Sequence, residues 1–286
     1  MPKTLWFEEK SVQTGWGVAL HITKKLHEEQ SSFQKIEVYQ TTNFGNLLVL
    51  DGFIMLTERD NFQYHEMLVH PPLLCHPAAK RILIIGGGDC GSLKEVLKHK
   101  QVQTAIQVDI DERVTRVCED YFPDLVTSND DQRATLLFAD GIDYLAKVPA
   151  NSFDVIIVDS TDPVGPGMVL YATEFYQSCF QALGDSGLLV VQSESPLLHA
   201  DLIEKIRANM TTAGFSQLNS YHFPVSTYPS GWWSATMAGK ENSSLSIKNR
   251  DIKIQNCVVF TPEFYQGCVL SEARLKKLRE LKFQPG

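Results

Sequence analysis

The chain has 286 residues, 43% of them hydrophobic and 21% charged, with a formal net charge of −8. That suffices for one large core, or a large one plus a small one, in a water-soluble globular protein. No basic run points to nucleic acid or an anionic membrane, no apolar run approaches the ~20 residues of a membrane span, and MPKTLWFEEK lacks the apolar core of a signal peptide. Six cysteines (Cys75, Cys90, Cys118, Cys179, Cys257, Cys268) show no close pair of metal-ligand type. They read as reduced packing residues of a cytoplasmic protein.

The first sixty residues differ from the rest. GVALHITKKLHEEQ and FQKIEVYQTTNFGNLLVLDGFIMLTERD alternate apolar and polar positions, with turn signals at Asn43–Gly45 and Asp51-Gly52. They predict a small antiparallel β domain of hairpins over residues 1–60. YHEMLVHPPLL reads as a short helix ended by Pro71-Pro72. Residues 61–286 then form the second predicted domain. Strand Arg81–Ile85 leads to a helix bearing Leu93, Val96 and Leu97. Strand Ala105–Val108 leads to one bearing Val114, Val117, Cys118 and Tyr121. Strand Ala134–Phe138 precedes a short helix at Tyr144-Leu145. Strand Phe153–Val158 precedes one carrying Phe175, Tyr176, Cys179, Phe180 and Leu183, and strand Leu188–Val191 one carrying Leu202, Ile203, Ile206 and Met210. Five strands alternating with helices predict a Rossmann-like, doubly wound α/β sheet. FSQLNSYHFPV and WWSATMAGK read as two strands with no helix between them, which fits the class I methyltransferase type better than a dehydrogenase. EARLKKLREL is expected to be an amphipathic packing helix.

Gly86, Gly88 and Gly91 match G-x-G-x-x-G between an apolar strand and a helix, and Asp109 closes the next strand. This is the pattern of a nucleoside site whose acid accepts ribose hydroxyls; otherwise the glycines serve helix–strand packing and Asp109 caps a helix. Asp89 stands where a phosphate would sit. Like unit charges at ~4 Å cost about 4 kcal/mol at an effective dielectric of ~20. A dinucleotide therefore fits poorly, and a phosphate-free nucleoside with a cationic tail fits well; the alternative is an inward-turned helix cap. Asp140-Gly141 could meet an adenine amino group or simply form a turn. VIIVDSTDPVGPG ends the fourth strand in two acids, Asp159 and Asp162, which should face the glycine loop. No His or Cys neighbours them, so an amine is a better partner than a metal.

LWFEEK, FGNLLVLDGFIMLTERDNFQYHEMLVHPPLLCHP, ILIIGGGDCGSLKEVLKH, VDSTDPVGPG, VVQSESPLLH and TYPSG together resemble the spermidine synthase family of polyamine aminopropyltransferases. The resemblance implies transfer of an aminopropyl group from decarboxylated S-adenosylmethionine to putrescine, giving spermidine and 5′-methylthioadenosine, with no metal and no other cofactor. By motif position, Gln34 and Asp109 would hold the ribose, Asp140 and Gly141 the adenine, and Gly86, Gly88 and Asp89 the rest of the donor, with Asp89 on its amine. Pro166 would line the adenine. Asp159 would be the base, with Tyr64 and the Ser160 carbonyl orienting the attacking nitrogen. His65, Asp162 and Tyr228 would contact the polyamine, with Gln192 and Glu194 nearby. Members are dimers or tetramers, assembled through the N-terminal sheet, and the loop Ser160–Thr173 is expected to close over the ligands. Three departures stand out. Cys90 replaces a glycine and could crowd the loop or make it oxidisable. Asp109 stands where many members carry Glu. Trp232 and Trp233 could narrow the acceptor pocket. The C-terminal FTPEFYQGCVLSEARLKKL matches weakly. Rival readings are an S-adenosylmethionine-dependent amine N-methyltransferase, a dehydrogenase, and a non-catalytic polyamine or nucleoside sensor. Asp89 argues against the first two, because one donor carries a carboxylate and the other a pyrophosphate.

Overall fold

The computed structural model describes residues 5–160, 169–248 and 252–281. The alternating N-terminal segment forms β1 (Leu5–Ser11), β2 (Trp16–Gln30), β3 (Lys35–Thr41), β4 (Asn46–Leu50) and β5 (Phe53–Thr57). They pair antiparallel in sequence order. Asp51 and Gly52 both have positive φ, 50° and 88°, as a two-residue hairpin loop requires. One face of this sheet buries Leu20, Tyr39, Leu47, Val49 and Ile54; the other packs Ile36, Val38, Leu48, Leu50 and Leu56 against a helix of the second sheet.

The helix α1 runs from Asn61 to Cys75, so Pro71 and Pro72 lie inside it rather than ending it. Proline 71 cannot donate to the carbonyl four residues back, that of Met67. The hydroxyl of Tyr221 donates to that carbonyl instead, at 3.0 Å. A tertiary contact thus fills the gap that the sequence rule takes as a stop.

After α1, the chain alternates β6 (Arg81–Gly86), α2 (Gly91–Leu97), β7 (Thr104–Asp109), α3 (Glu112–Tyr121), β8 (Ala134–Phe138), α4 (Gly141–Lys147), β9 (Phe153–Asp159), α5 (Thr173–Ala182), β10 (Leu183–Gln192) and α6 (Ala200–Ala213). Leu183 opens a strand instead of closing α5, and the β9–β10 register shifts between Leu183 and Leu188. β11 (Gln217–Pro224) and β12 (Trp232–Gly239) form the expected antiparallel hairpin. Then come α7 (Pro262–Cys268), β13 (Val269–Leu270) and α8 (Glu272–Glu280). The second sheet has the order β13-β11-β12-β10-β9-β6-β7-β8, with β8, β7, β6, β9 and β10 parallel and β12 running against β10. This is the class I methyltransferase-type arrangement. Its strand order reverses between β6 and β9, and the crevice beyond their carboxyl ends is where ligands of open α/β sheets bind. The near-continuous apolar runs of β6 and β9 suit strands covered on both faces, by α1 and α2 on one side and α4, α5 and α6 on the other.

The helix that touches the N-terminal sheet is α3, through Val114, Val117, Cys118 and Phe122. Hydrogen bonds reinforce the junction: Arg113 grips Glu29 at 2.8 and 2.9 Å, and Ser31 and Gln34 donate to Asp111 at 2.6 and 3.0 Å. α8 buries no residue and meets α6 through the ion pairs Arg207–Glu272 and Arg279–Glu204. Its expected apolar face is only partly covered among the described residues: Leu275 and Leu278 are half-buried. No helix among the described residues is long and apolar enough to cross a membrane.

Candidate active site

Three strands of the second sheet end in an aspartate that folds back onto the backbone two residues on. Asp89, three residues past β6, accepts from the Gly91 N–H at 2.6 Å. Asp109, ending β7, accepts from the Asp111 N–H at 2.8 Å. Asp140, just past β8, accepts from the Ile142 N–H at 2.7 Å. Asp140 is the N-cap of α4, so the turn alternative holds locally there, but the N-caps of α2 and α3 are Cys90 and Asp111 rather than Asp89 and Asp109; all three aspartates line one cavity of about 360 Å³. Asp159, ending β9, completes the row.

The glycines explain how the loop comes so close. A Cβ on Gly86, whose φ is +82°, would stand 2.1 Å from the Asp159 carbonyl oxygen; one on Gly91 would stand 2.2 Å from the His65 ring. Cys90 occupies a left-handed conformation, φ +66°, with its side chain fully buried beside Gln107, whose amide lies 3.6 Å from the sulfur. It neither crowds the loop nor reaches the cavity wall, and burial pushes the thiol up to about 12, which makes it a poor target for oxidation.

Asp159 is the most constrained acid. Its Oδ1 accepts from the Tyr64 hydroxyl at 2.7 Å and its Oδ2 from the Ser92 hydroxyl at 2.6 Å. Burial, then the charge of Asp89, raises its carboxyl above the ordinary value, outweighing His65 and the two hydroxyls. The Tyr64 hydroxyl is held well above its usual range by burial and by Asp159, so it stays a donor. Asp89 goes the other way. Burial opposes its charge, but the imidazole of His65, 3.3 Å away, outweighs that and lowers it. His65 is correspondingly raised against its own burial.

The cavity wall includes five carboxylates (Asp51, Asp89, Asp109, Asp140, Asp159) and, among the described residues, neither Lys nor Arg. Apolar surface from Leu48, Leu50, Val108, Ile110 and Ile142 fills the space between them. Such a wall suits a flat apolar group with hydroxyls and a cationic arm, and repels phosphate. A smaller chamber of about 40 Å³ shares Met55, Tyr64, Ser160 and Tyr228 with it and adds Glu9, Phe53, Gln192 and Trp233.

Of the residues named from sequence, Gln34, Tyr64, Gly86, Gly88, Asp89, Asp109, Asp140, Gly141, Asp159, Ser160 and Tyr228 line the main cavity, and Gln192 the small one. His65 lies behind Asp89 and reaches the site through it. Glu194 sits buried against His199, 3.2 Å away, off both walls. Asp162 and Pro166, and most of the loop expected to close, lie outside the described residues. Trp233 walls the small chamber, but Trp232 stacks edge-on against His222 instead. Sequence reading gave no role to Glu9, Phe33, Asp51 or Met55. All four come from the N-terminal sheet or its turns; Glu9 (in LWFEEK) and Asp51 and Met55 (in FGNLLVLDGFIMLTERD) lay within stretches that carried the resemblance, and only Phe33 lay outside them.

Comparison with known proteins agrees with this geometry. Residues 61–249 match the family described as Spermine/spermidine synthase domain, and residues 5–58 the Spermidine synthase tetramerisation domain. The chain belongs to the spermine/spermidine synthase family. Among curated members of that family, the polyamine aminopropyltransferase of Stenotrophomonas maltophilia is 53% identical over 93% of this chain and 95% of its own. That of Thioalkalivibrio sulfidiphilus is 52% identical over 91% and 96%. A spermidine synthase solved with the transition-state analogue AdoDATO superposes with a TM-score of 0.90 at 33% identity, covering 98% of this chain and 96% of that one. The spermidine synthase of Thermotoga maritima gives 0.89 with the same identity and coverage.

Proposed function

We propose that the chain is a spermidine synthase: it moves the aminopropyl group of decarboxylated S-adenosylmethionine to putrescine, releasing 5′-methylthioadenosine. The observation that carries this reading is the pairing of a raised, doubly held carboxyl, Asp159, with a lowered one, Asp89, in a cavity whose described wall holds neither Lys nor Arg. The donor is a phosphate-free nucleoside bearing a sulfonium and an amine. Asp140 takes the adenine amino group, Asp109 and Gln34 the ribose hydroxyls, and Asp89 the terminal ammonium. Ordinary S-adenosylmethionine would bring a carboxylate against Asp89, so the methyltransferase reading is the weaker one.

A sulfonium leaves without acid help. The acceptor is the difficulty, because a free primary amine has a pKa near ~10 and is protonated at neutral pH. Asp159 takes the proton; its raised pKa narrows the gap to the amine, and burial weakens the competing hydration. The freed nitrogen lone pair forms a bond to the aminopropyl carbon bound to sulfur. The sulfur–carbon bond breaks, and its electron pair stays on sulfur as a neutral thioether. Tyr64, fixed on Asp159, and the Ser160 carbonyl direct the nitrogen. The far ammonium of the diamine lies in the small chamber, between the carboxylate of Glu9 and the ring of Trp233, with Gln192 and Tyr228 closing it. Asp162 and His65 add to acceptor and donor recognition by their place in the motifs.

Residues 1–60 form the oligomerisation domain in this reading and residues 61–286 the catalytic one. Leu5, Trp6 and Val12 expose 53, 54 and 99% of their surface around β1, which supports a dimer or tetramer built on that strand. All six cysteines are free, in keeping with a cytoplasmic protein. The test is a product assay with decarboxylated S-adenosylmethionine and a panel of diamines. Putrescine is expected to give spermidine. Asp159→Asn should lower turnover by about 10²–10⁴-fold while methylthioadenosine still binds. Turnover within a few-fold of the unmutated chain would remove Asp159 as the base.

A further inference from the structure

Where α1, α2 and the segment 252–260 meet, three side chains of different metal-ligating type converge. His70 Nε2 stands 3.1 Å from Cys257 Sγ and 3.1 Å from Glu95 Oε2. All three donor atoms lie within 4.8 Å of one another. None of them lines the substrate cavity. His70 and Glu95 are buried, and Cys257 is half-buried.

We propose that His70, Glu95 and Cys257 form a binding site for a zinc-class divalent ion, which staples the segment 252–260 onto α1 and α2. One imidazole, one carboxylate and one thiolate make a borderline-soft donor set, suited to zinc rather than to magnesium or calcium. Zinc–ligand bonds of about 2.0–2.3 Å in a tetrahedron put donor atoms roughly 3.4–3.6 Å apart. The two His70 contacts need to open by only a few tenths of an ångström, while Glu95 Oε2 and Cys257 Sγ already lie within 4.8 Å of each other.

The surroundings are those of a prepared site. His70 Nδ1 is 2.9 Å from His99 Nε2, which fixes the ring with Nε2 toward the cluster. Glu95 Oε2 is approached by His70 and, at 2.6 Å, by the Lys98 ammonium, yet at angles that make no hydrogen bond. Cys257 is placed by its neighbours: the Glu66 carboxylate accepts the N–H groups of Val258, Val259 and Phe260, each at 2.8 Å. A cleft of about 300 Å³, bordered by Glu66, Glu95, Lys98, Asn256 and Val258, leads in from solvent. It gives the ion an entry path and room for water as a fourth ligand. Binding releases the thiol proton and turns Lys98, which occupies the ion's place beside Oε2, out into the cleft.

The test uses the tag-free chain, stripped with a chelator and titrated with cobalt(II) and then zinc. One equivalent of cobalt should bind, with a thiolate-to-metal charge-transfer band and the visible spectrum of a tetrahedral ion. One equivalent of zinc should displace it and raise the melting temperature. Cys257→Ser should abolish the thiolate band while keeping aminopropyl transfer, which shows that the variant is folded. His99→Leu should weaken zinc binding by about 10–100-fold. Lys98→Met, which removes the competing cation, should tighten it. Cobalt bound without a thiolate band, in octahedral geometry, or equally by Cys257→Ser would overturn the proposal. The binding, spectral and melting readouts do not depend on the substrate reading, and an unchanged melting temperature of the metal-free Cys257→Ser chain shows folding without it, so either can fail alone.

Discussion

Burial raises the Asp109 carboxyl to about 6; the charges of Asp111, Asp89 and Asp159 add to this, and the Asp111 N–H that it accepts resists it. An ionised carboxylate can accept from both ribose hydroxyls, and a protonated one has less capacity to do so. Calorimetry should therefore show methylthioadenosine affinity falling as the pH drops through about 6, and Asp109→Asn should bind weakly with a flatter profile. A flat profile for the unmutated chain between about pH 5 and pH 8 would take Asp109 out of the ribose site. Stability moves the opposite way. With its folded pKa raised, Asp109 binds more protons folded than unfolded, so its contribution is full below about 4 and is lost as pH rises through about 6. Asp109, Asp140 and Asp159 could be read from the sequence because each ends, or directly follows, an apolar strand, and such ends face ligands. His65 could not be placed the same way. A histidine on a helix is ordinarily a surface residue, and here Gly91, Asp89 and the Tyr64 ring close around it.

Among the elements, α1 shows where local rules stop. Two prolines predicted an end, and the helix continues past them, with Tyr221, 154 positions away in the chain, donating to the Met67 carbonyl that Pro71 leaves without a helical donor. Tyr221→Phe keeps the ring and removes that donor, leaving a buried carbonyl unpaired. It should lower unfolding free energy by about 1–3 kcal/mol, read by denaturant titration. A change within the error of the extrapolation would mean that packing alone carries the helix past its prolines. Four of the five parallel strands were legible to within a residue at each end, since each apolar run is bounded by turn chemistry; β10 was not, because it opens at Leu183, which read as part of the preceding helix. The last stretch was not. α8 has helical periodicity, but its partners are exposed ion pairs with α6, worth little singly and invisible in a pattern of apolar spacing.

At the scale of the molecule, the site exists only where the two sheets meet. Phe33, Gln34, Leu48, Leu50, Asp51 and Met55 face the Rossmann-like loops across the cavity, and α3 holds the two parts together. This is why strand-end chemistry revealed the Rossmann-like half of the wall, while from the other half only Gln34 was named. The exposed Leu5, Trp6 and Val12 carry the assembly reading. Light scattering should find a dimer or tetramer, and Trp6→Glu should shift it toward monomer. A monomer for the unmutated chain at working concentrations would refute that reading.

The row of aspartates has one more consequence. β8, β7, β6 and β9 are consecutive neighbours in the sheet, and each delivers one acid at the same edge: Asp140, Asp109, Asp89, Asp159. Strand spacing is about 4.8 Å, so the four strand ends that carry the acids span roughly 14 Å, a ruler laid across the strands. The strand ends are held by the backbone ladders, and Asp89 and Asp140, just beyond theirs, by their bonds to the Gly91 and Ile142 N–H groups. With adenine and ribose registered at one end, the reacting carbon has one place to fall. A donor with an aminobutyl arm in place of aminopropyl overshoots the Asp89 mark, or keeps it and moves its carbon off the line of attack. It should bind nearly as well as the natural donor and turn over far more slowly. Comparable turnover for both arms would show that the acids do not gauge length.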